Sequence, residues 1–280
     1  MSNKIFYILV AILLVSAGLF LEYLHLQDKN DFNLKLFYWC LFFGLLAQLI
    51  DGSLGMAYGV SASTFLLSIG VPPVQTTAYV HLAEIFTTGA SALSHTKFKN
   101  VDFSLFKKIV IPGVIGGIIG AIVINKFEIP YLNIIVSIYL LIMGFVIFLK
   151  AFKKLKFLKN NKIKGVIPLA TSGGFLDAVG GGGWGPIVTT GLIGSGNEPR
   201  KTIGTVSAAE FFVNLATGIS LGILIDIIDW EAIAGLMVGG LIAAPVAAKI
   251  VSKIKIKLML ILVGLLIITL SLRRIYPMIF

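Results

Sequence analysis

The chain has 280 residues, 57% of them apolar and 13% charged, with a mean hydropathy of +0.97. A soluble domain carries about 25% Asp, Glu, Lys and Arg, and roughly half that share cannot cover a 30.1 kDa surface with polar groups, which excludes soluble enzymes, nucleic-acid binders and secreted disulfide scaffolds. The net charge of +10 does not bring nucleic acid back, because 20 of the 23 basic residues are Lys and most lie between apolar runs, as in loops facing an anionic leaflet.

In chain order the apolar runs occupy 5–21, 36–50, 56–69, 76–93, 109–124 and 131–149 and, after a basic linker, 166–179, 184–194, 202–225, 232–251 and 258–272. The first, behind Lys4, has the outline of a signal peptide but exceeds the roughly 7 to 15 residues of a signal core, and is read as a retained helix. Cys40, in the second run, is the single cysteine, so no internal disulfide and no cysteine metal cluster can form. The runs 36–50, 56–69, 166–179 and 184–194 fall short of the roughly 20 residues a helix needs to cross about 30 Å of hydrocarbon. They form two pairs around two breaks, Asp51-Gly52-Ser53-Leu54-Gly55 and Asp177-Ala178-Val179-Gly180-Gly181-Gly182-Gly183. Each pair is expected to be a helical hairpin that enters and leaves on one side, its break lining a cavity, since irregular backbone at membrane depth needs protein or water around it.

Sliding the chain by 126 residues superposes the two breaks and the segments C-terminal to them. Asp51 falls on Asp177, Gly55 on Gly181, Gly59 on Gly185, Gly70 on Gly196, Pro73 on Pro199 and Thr76 on Thr202. Val80, Ala83, Glu84, Phe86 and Ala90 fall on Val206, Ala209, Glu210, Phe212 and Ala216. Shared hydrophobicity does not produce two matched acids, a matched proline and three matched glycines without a gap, so the chain is a duplicated unit. Lys and Arg number four in 97–108, one in 126–130, seven in 150–164, two in 197–201, none in 223–231 and four in 249–257. With basic loops cytoplasmic, 97–108 lies inside and its repeat partner 223–231 outside, so the repeats are inverted, the N-terminus inside and the C-terminus outside. Arg273 and Arg274 fit this rule poorly. The expected fold is an all-α integral membrane protein, an inverted-repeat helical bundle whose two broken-helix hairpins meet near the midplane. It divides into an N-terminal helix and outer loop (1–35), repeat 1 (36–150), a Lys-rich cytoplasmic linker (151–164) and repeat 2 (165–280).

The second half-helix of each hairpin starts near Gly55 or Gly183, and a helix N-terminus offers unpaired N–H groups with about half a positive charge. Two such termini would cradle an oxyanion. Gly182 and Gly183 remove side chains where backbone would approach a ligand, and Ser53, Thr171 and Ser172 add hydroxyl donors; tight helix packing is the other reading of the glycines. Asp51 and Asp177 sit at the hairpin tips, Glu84 and Glu210 at mid-helix, where an unpaired carboxylate costs at least a few kcal/mol. Three uses fit them: capping the N–H groups of the broken helices, carrying protons, or binding a cation. His81 lies three residues before Glu84 on the same helix face, either in a His–Glu pair that handles protons or meets an anion, or as a packed core histidine. The repeat has Ser207 there, so such a role is asymmetric. His95 and Lys97 read as boundary residues, Arg200 and Lys201 as loop or gate residues, and Gly113, Gly117, Gly120, Gly235 and Gly239 as helix-packing positions. No metal site, cofactor or Walker-type nucleotide motif is expected.

The runs Asp51-Gly-Ser-Leu-Gly-Met-Ala-Tyr-Gly59, Asp177-Ala-Val-Gly-Gly-Gly-Gly-Trp-Gly-Pro186 and Pro199-Arg-Lys-Thr-Ile-Gly-Thr205 resemble the TauE/SafE sulfite exporter family. The resemblance spans most of 36–272, with Trp184-Gly185-Pro186 its most specific part, which adds Trp184 to the candidate site. It implies a secondary transporter of a small sulfur-containing anion (sulfite, thiosulfate or an organosulfonate), a multi-pass protein of the cell membrane and not an enzyme. Its partners would be that anion and the lipid bilayer. Proton coupling and alternating access belong to this expectation. The alternatives are a cation carrier using Asp51, Glu84, Asp177 and Glu210, and a lipid phosphatase-like membrane enzyme. The enzyme would want arginines at the breaks to hold phosphate, and none of the three Arg lies in either break.

Overall fold

Apolar sequence in hydrocarbon satisfies its backbone groups by coiling into helices, and every regular element among the described residues is a helix. The computed structural model describes residues 33–54, 56–127, 131–152, 165–225, 229–250 and 256–279, with backbone alone at 52–54, 245–250, 256 and 259. The first apolar run and most of the Lys-rich linker lie outside these residues. The helices are α1 (Leu34–Leu54), α2 (Tyr58–Ser68), α3 (Pro73–Lys97), α4 (Phe103–Lys126), α5 (Leu132–Lys150), α6 (Val166–Gly180), α7 (Gly185–Gly194, π-helical in its first turn), α8 (Pro199–Leu224), α9 (Trp230–Ile250) and α10 (Ile256–Ile279).

Stretches of α1, α4, α5, α8 and α10 are long and apolar enough to cross a membrane. The structure corrects one length. The apolar run 36–50 looked too short, but α1 continues through Asp51 to Leu54 for 21 residues, about 32 Å at 1.5 Å per residue. The polar residues 51–53 enter its last turn instead of ending it. The other three short runs stay short: α2 has 11 residues and α6 has 15, about 16 and 22 Å, while α7 covers only Gly185–Gly194.

Packing repeats across the halves. The 126-residue offset carries α1 onto α6 and α4 onto α9. Accordingly α1 runs parallel to α9, with Phe37 against Gly235 and Leu41 against Gly239, while α6 runs parallel to α4, with Thr171 against Gly116 and Phe175 against Gly120. Glycines let these backbones touch. The counterparts α3 and α8 lie antiparallel, Ser91 hydrogen-bonding Ser207 at 2.8 Å and His81 beside Gly218. α5 and α10 do likewise, with Phe148 against Gly264 and Gly144 against Ile267. The buried core centres on α3 and α8. Outer faces of α4, α5 and α10 expose Ile111, Ile115, Ile142, Phe145, Leu262 and Leu265, as faces turned to lipid do.

Two helix starts carry a side-chain cap of their own. Asp102 caps α4, accepting from Ser104 N and Leu105 N at 2.8 and 3.2 Å, and Glu198 caps α8, accepting from Arg200 N and Lys201 N at 3.0 and 2.9 Å. The starts of α2 and α7, at the breaks, have no such side chain at their own N-cap positions, Ala57 and Trp184. Their N–H groups are met from elsewhere.

Candidate functional site

The second break is locked by hydroxyls. α6 ends with Gly181 in the left-handed region at φ +68°, and Gly182 follows at φ +154°. A side chain on Gly182 would collide with backbone at Gly59 and Val60, so the break is seated on the first turn of α2. Where a helix stops, its last carbonyls lose their partners. Here Thr77 Oγ1 donates to Ala178 O (2.7 Å), Tyr139 Oη to Gly182 O (2.7 Å) and Ser63 Oγ to Gly181 O. The three donors come from α3, α5 and α2.

Carboxylates hold the orphaned N–H groups. Asp177 Oδ1 accepts Trp184 N at 2.9 Å, spanning seven residues across the break. Asp51 lies near the N–H of Tyr58, again seven residues on, and Glu84 lies near that of Gly59. Both half-helix N-termini thus have carboxyl groups of the protein itself beside them, a placement that the helix dipole favours. Glu210 is half-buried and lies within electrostatic reach of Asp51, Glu84 and Asp177, so the four acids face one region.

His81 completes the cluster and is fully buried. Its Nε2 lies 3.1 Å from Asp177 Oδ2, while Nδ1 lies 2.7 Å from the carbonyl oxygen of Thr77. A carbonyl only accepts, so Nδ1 must be the donor there. The Nε2–Asp177 contact then needs a proton of its own, on the imidazole or on the carboxyl, because two lone pairs would otherwise face each other. Of the two readings of His81, a pair with Glu84 along its own helix or a packed core histidine, the first needs changing. The structure corrects this, because the imidazole points across the helix interface to Asp177.

The remaining candidates separate. Gly182 and Gly183 lie at the centre, against Val60 N and the Tyr139 hydroxyl. Trp184 is also there, its ring fully buried and Nε1 donating to Val206 O at 3.2 Å. Thr171 and Ser172 are not brought in. Ser172 is exposed and donates to Leu169 O, and it lies eight residues before Gly180, about 12 Å along the helix. Ser53 belongs to the last turn of α1 with only its backbone described, and Gly55 lies outside the described residues. Among the described residues no group of three His, Cys, Asp or Glu is placed to hold a metal ion. Sequence reasoning missed Ser63, Thr77 and Tyr139. Thr77, one turn before His81 on the same face, carried a readable signal; Tyr139, inside an unbroken membrane run, carried none.

Residues 40–274 match the model of the family described as Sulfite exporter TauE/SafE. The chain is also 43% identical over 244 residues to the probable membrane transporter protein YtnM of Bacillus subtilis (strain 168), covering 84% of this chain and 81% of that protein. No solved structure matches. A family match over most of the chain, together with apolar helices long enough to span a bilayer, places this protein in the TauE/SafE family of membrane transporters.

Proposed function

We propose that the protein is a secondary carrier of a small sulfur-containing anion, working by alternating access with proton coupling at the His81–Asp177 pair. One observation carries this reading: the first turns of both broken helices meet at one place, with Asp177 holding the Trp184 N–H and the carboxyls of Asp51 and Glu84 beside those of Tyr58 and Gly59. A sulfite, thiosulfate or sulfonate group presents the same acceptor oxygens as these carboxylates. It would take over the N–H groups of Tyr58, Gly59 and Trp184 when the carboxylates turn away, with a protonated carboxyl releasing its donor more readily than an ionised one. Losing the proton between His81 and Asp177 sets two lone pairs against each other and opens their contact, giving the site two arrangements.

Alternating access needs halves that exchange roles. The antiparallel pairing of α3 with α8 and of α5 with α10, and the exchange of α1·α9 for α6·α4, support inverted repeats, the arrangement in which one repeat rocks against the other. In this reading each break belongs to a hairpin, the N-terminus is cytoplasmic and the C-terminus outside.

The test is binding to purified protein of sulfite, thiosulfate, sulfoacetate, taurine, sulfate and phosphate, measured calorimetrically at several pH values. A sulfur oxyanion or sulfonate should bind best, and more tightly as pH falls. Binding of none of the panel, or tighter binding as pH rises, would overturn the proposal.

A further inference from the structure

A cavity of about 340 Å³ opens where the end of α2 meets the end of α10. None of the four acids or the break glycines lines it. Its walls include Leu67, Gly70, Leu270 and Met278, together with Arg273 and Arg274, two of the three arginines in the chain. No carboxylate of the described residues is in the lining, so neither guanidinium has a counter-charge among them there.

Arg274 is held in place. Its Nη1 donates to Leu67 O at the C-terminal end of α2, and its Nη2 donates to Asn133 Oδ1 at 2.8 Å. A cation at a helix C-terminus is favourably placed. Those bonds use two of the five N–H donors of a guanidinium, and Nε is buried without a protein partner. Arg273, just before it in the chain, is exposed and has no protein partner among the described residues. At the rim Gly70 sits at φ +100° with open space where a side chain would stand. Tyr276, one turn beyond, is 68% exposed, as aromatic residues at a membrane–water boundary are.

Loop charge does not account for this pair, because the distribution of basic residues assigns this end of α10 to the side where few are found. Planar forks with free donors, set beside apolar walls, match oxyanions, which they grip through paired N–H···O bonds. We propose that this cavity is a second oxyanion site, separate from the breaks, occupied by a phosphate or sulfur oxyanion supplied by an anionic lipid headgroup or by the aqueous phase. A cavity of this size accommodates such a group with its water.

Full-length protein in nanodiscs of phosphatidylcholine, with and without phosphatidylglycerol, distinguishes the sources. Retained phosphatidylglycerol is counted by native mass spectrometry, and inorganic sulfate is titrated calorimetrically in pure phosphatidylcholine. Arg273→Gln removes one fork without touching the bonds of Arg274, and Arg274→Lys keeps a cation while losing the fork. Taking the difference between wild type and variant removes any binding at the breaks. Each variant should weaken one probe about tenfold, the loss of one charge-assisted pair. A lipid source appears as fewer retained phosphatidylglycerol molecules, and a soluble source as weaker sulfate binding. Equal binding of both probes by wild type and both variants, or binding of neither by wild type, would refute the site.

Discussion

At the scale of the residue, Asp177 holds more of the break than any other side chain, joining Trp184 N to His81. Asp177→Ala strands a buried N–H and a buried imidazole, and should cost about 3 kcal/mol, read as a lowered midpoint in thermal unfolding of purified protein. Unchanged stability would mean that these contacts do not hold the break. Glu84→Gln and Glu210→Gln test proton handling instead. The amide keeps the shape and much of the hydrogen bonding of a neutral carboxyl but cannot titrate. If either glutamate shares the coupling proton, substrate binding should persist with a flatter pH response, and proton-driven accumulation in proteoliposomes should fail while passive exchange continues. Coupled uptake at wild-type rates in both mutants and in the double mutant would exclude them and leave His81–Asp177 as the proton site.

At the scale of the element, glycine decides how closely the helices meet. A side chain on Gly116 would strike the Thr171 carbonyl, and one on Gly239 the Leu41 carbonyl. Gly116→Leu on the α4·α6 contact and Gly239→Leu on its counterpart α1·α9 should each destabilise by about 1–3 kcal/mol or more. Gly194→Ala, in open space, should be neutral in the same unfolding assay. The break offers a finer contrast. Gly182 abuts backbone at Val60, which cannot turn aside, whereas Gly183 abuts the Tyr139 hydroxyl, which can. Gly182→Ala should therefore impair folding and substrate binding more than Gly183→Ala does, and the reverse order would show that Tyr139 is the stiffer neighbour.

At the scale of the whole molecule, the inverted arrangement proposed above predicts on which side each loop lies. Single-cysteine labelling, with Cys40→Ala as background, should find 97–108, 150–164 and 249–257 accessible from the cytoplasm and 223–231 from outside. Labelling of 97–108 and 223–231 from one side would mean that the halves are not inverted. Several of these positions lie outside the described residues, which makes the chemical measurement the more direct one.

The sequence by itself was enough to mark out the helices and match the halves. Hydropathy is a local property of a run, and an offset of 126 residues is visible without any fold. It also singled out Asp51 and Asp177 at the breaks and Glu84 and Glu210 at mid-helix, because a carboxyl at membrane depth needs a partner, a proton or water. It erred on the length of α1, since Asp51 and Ser53 interrupt an apolar pattern without interrupting a helix. Tertiary structure alone decided the partners: His81 meets a residue 96 positions away, Ser63 one 118 away and Tyr139 one 43 away. Periodicity shows which residues share a face along one helix, but not which other helix that face will meet. His81 therefore looked like the neighbour of Glu84 until the crossing of α3 and α6 set it against Asp177.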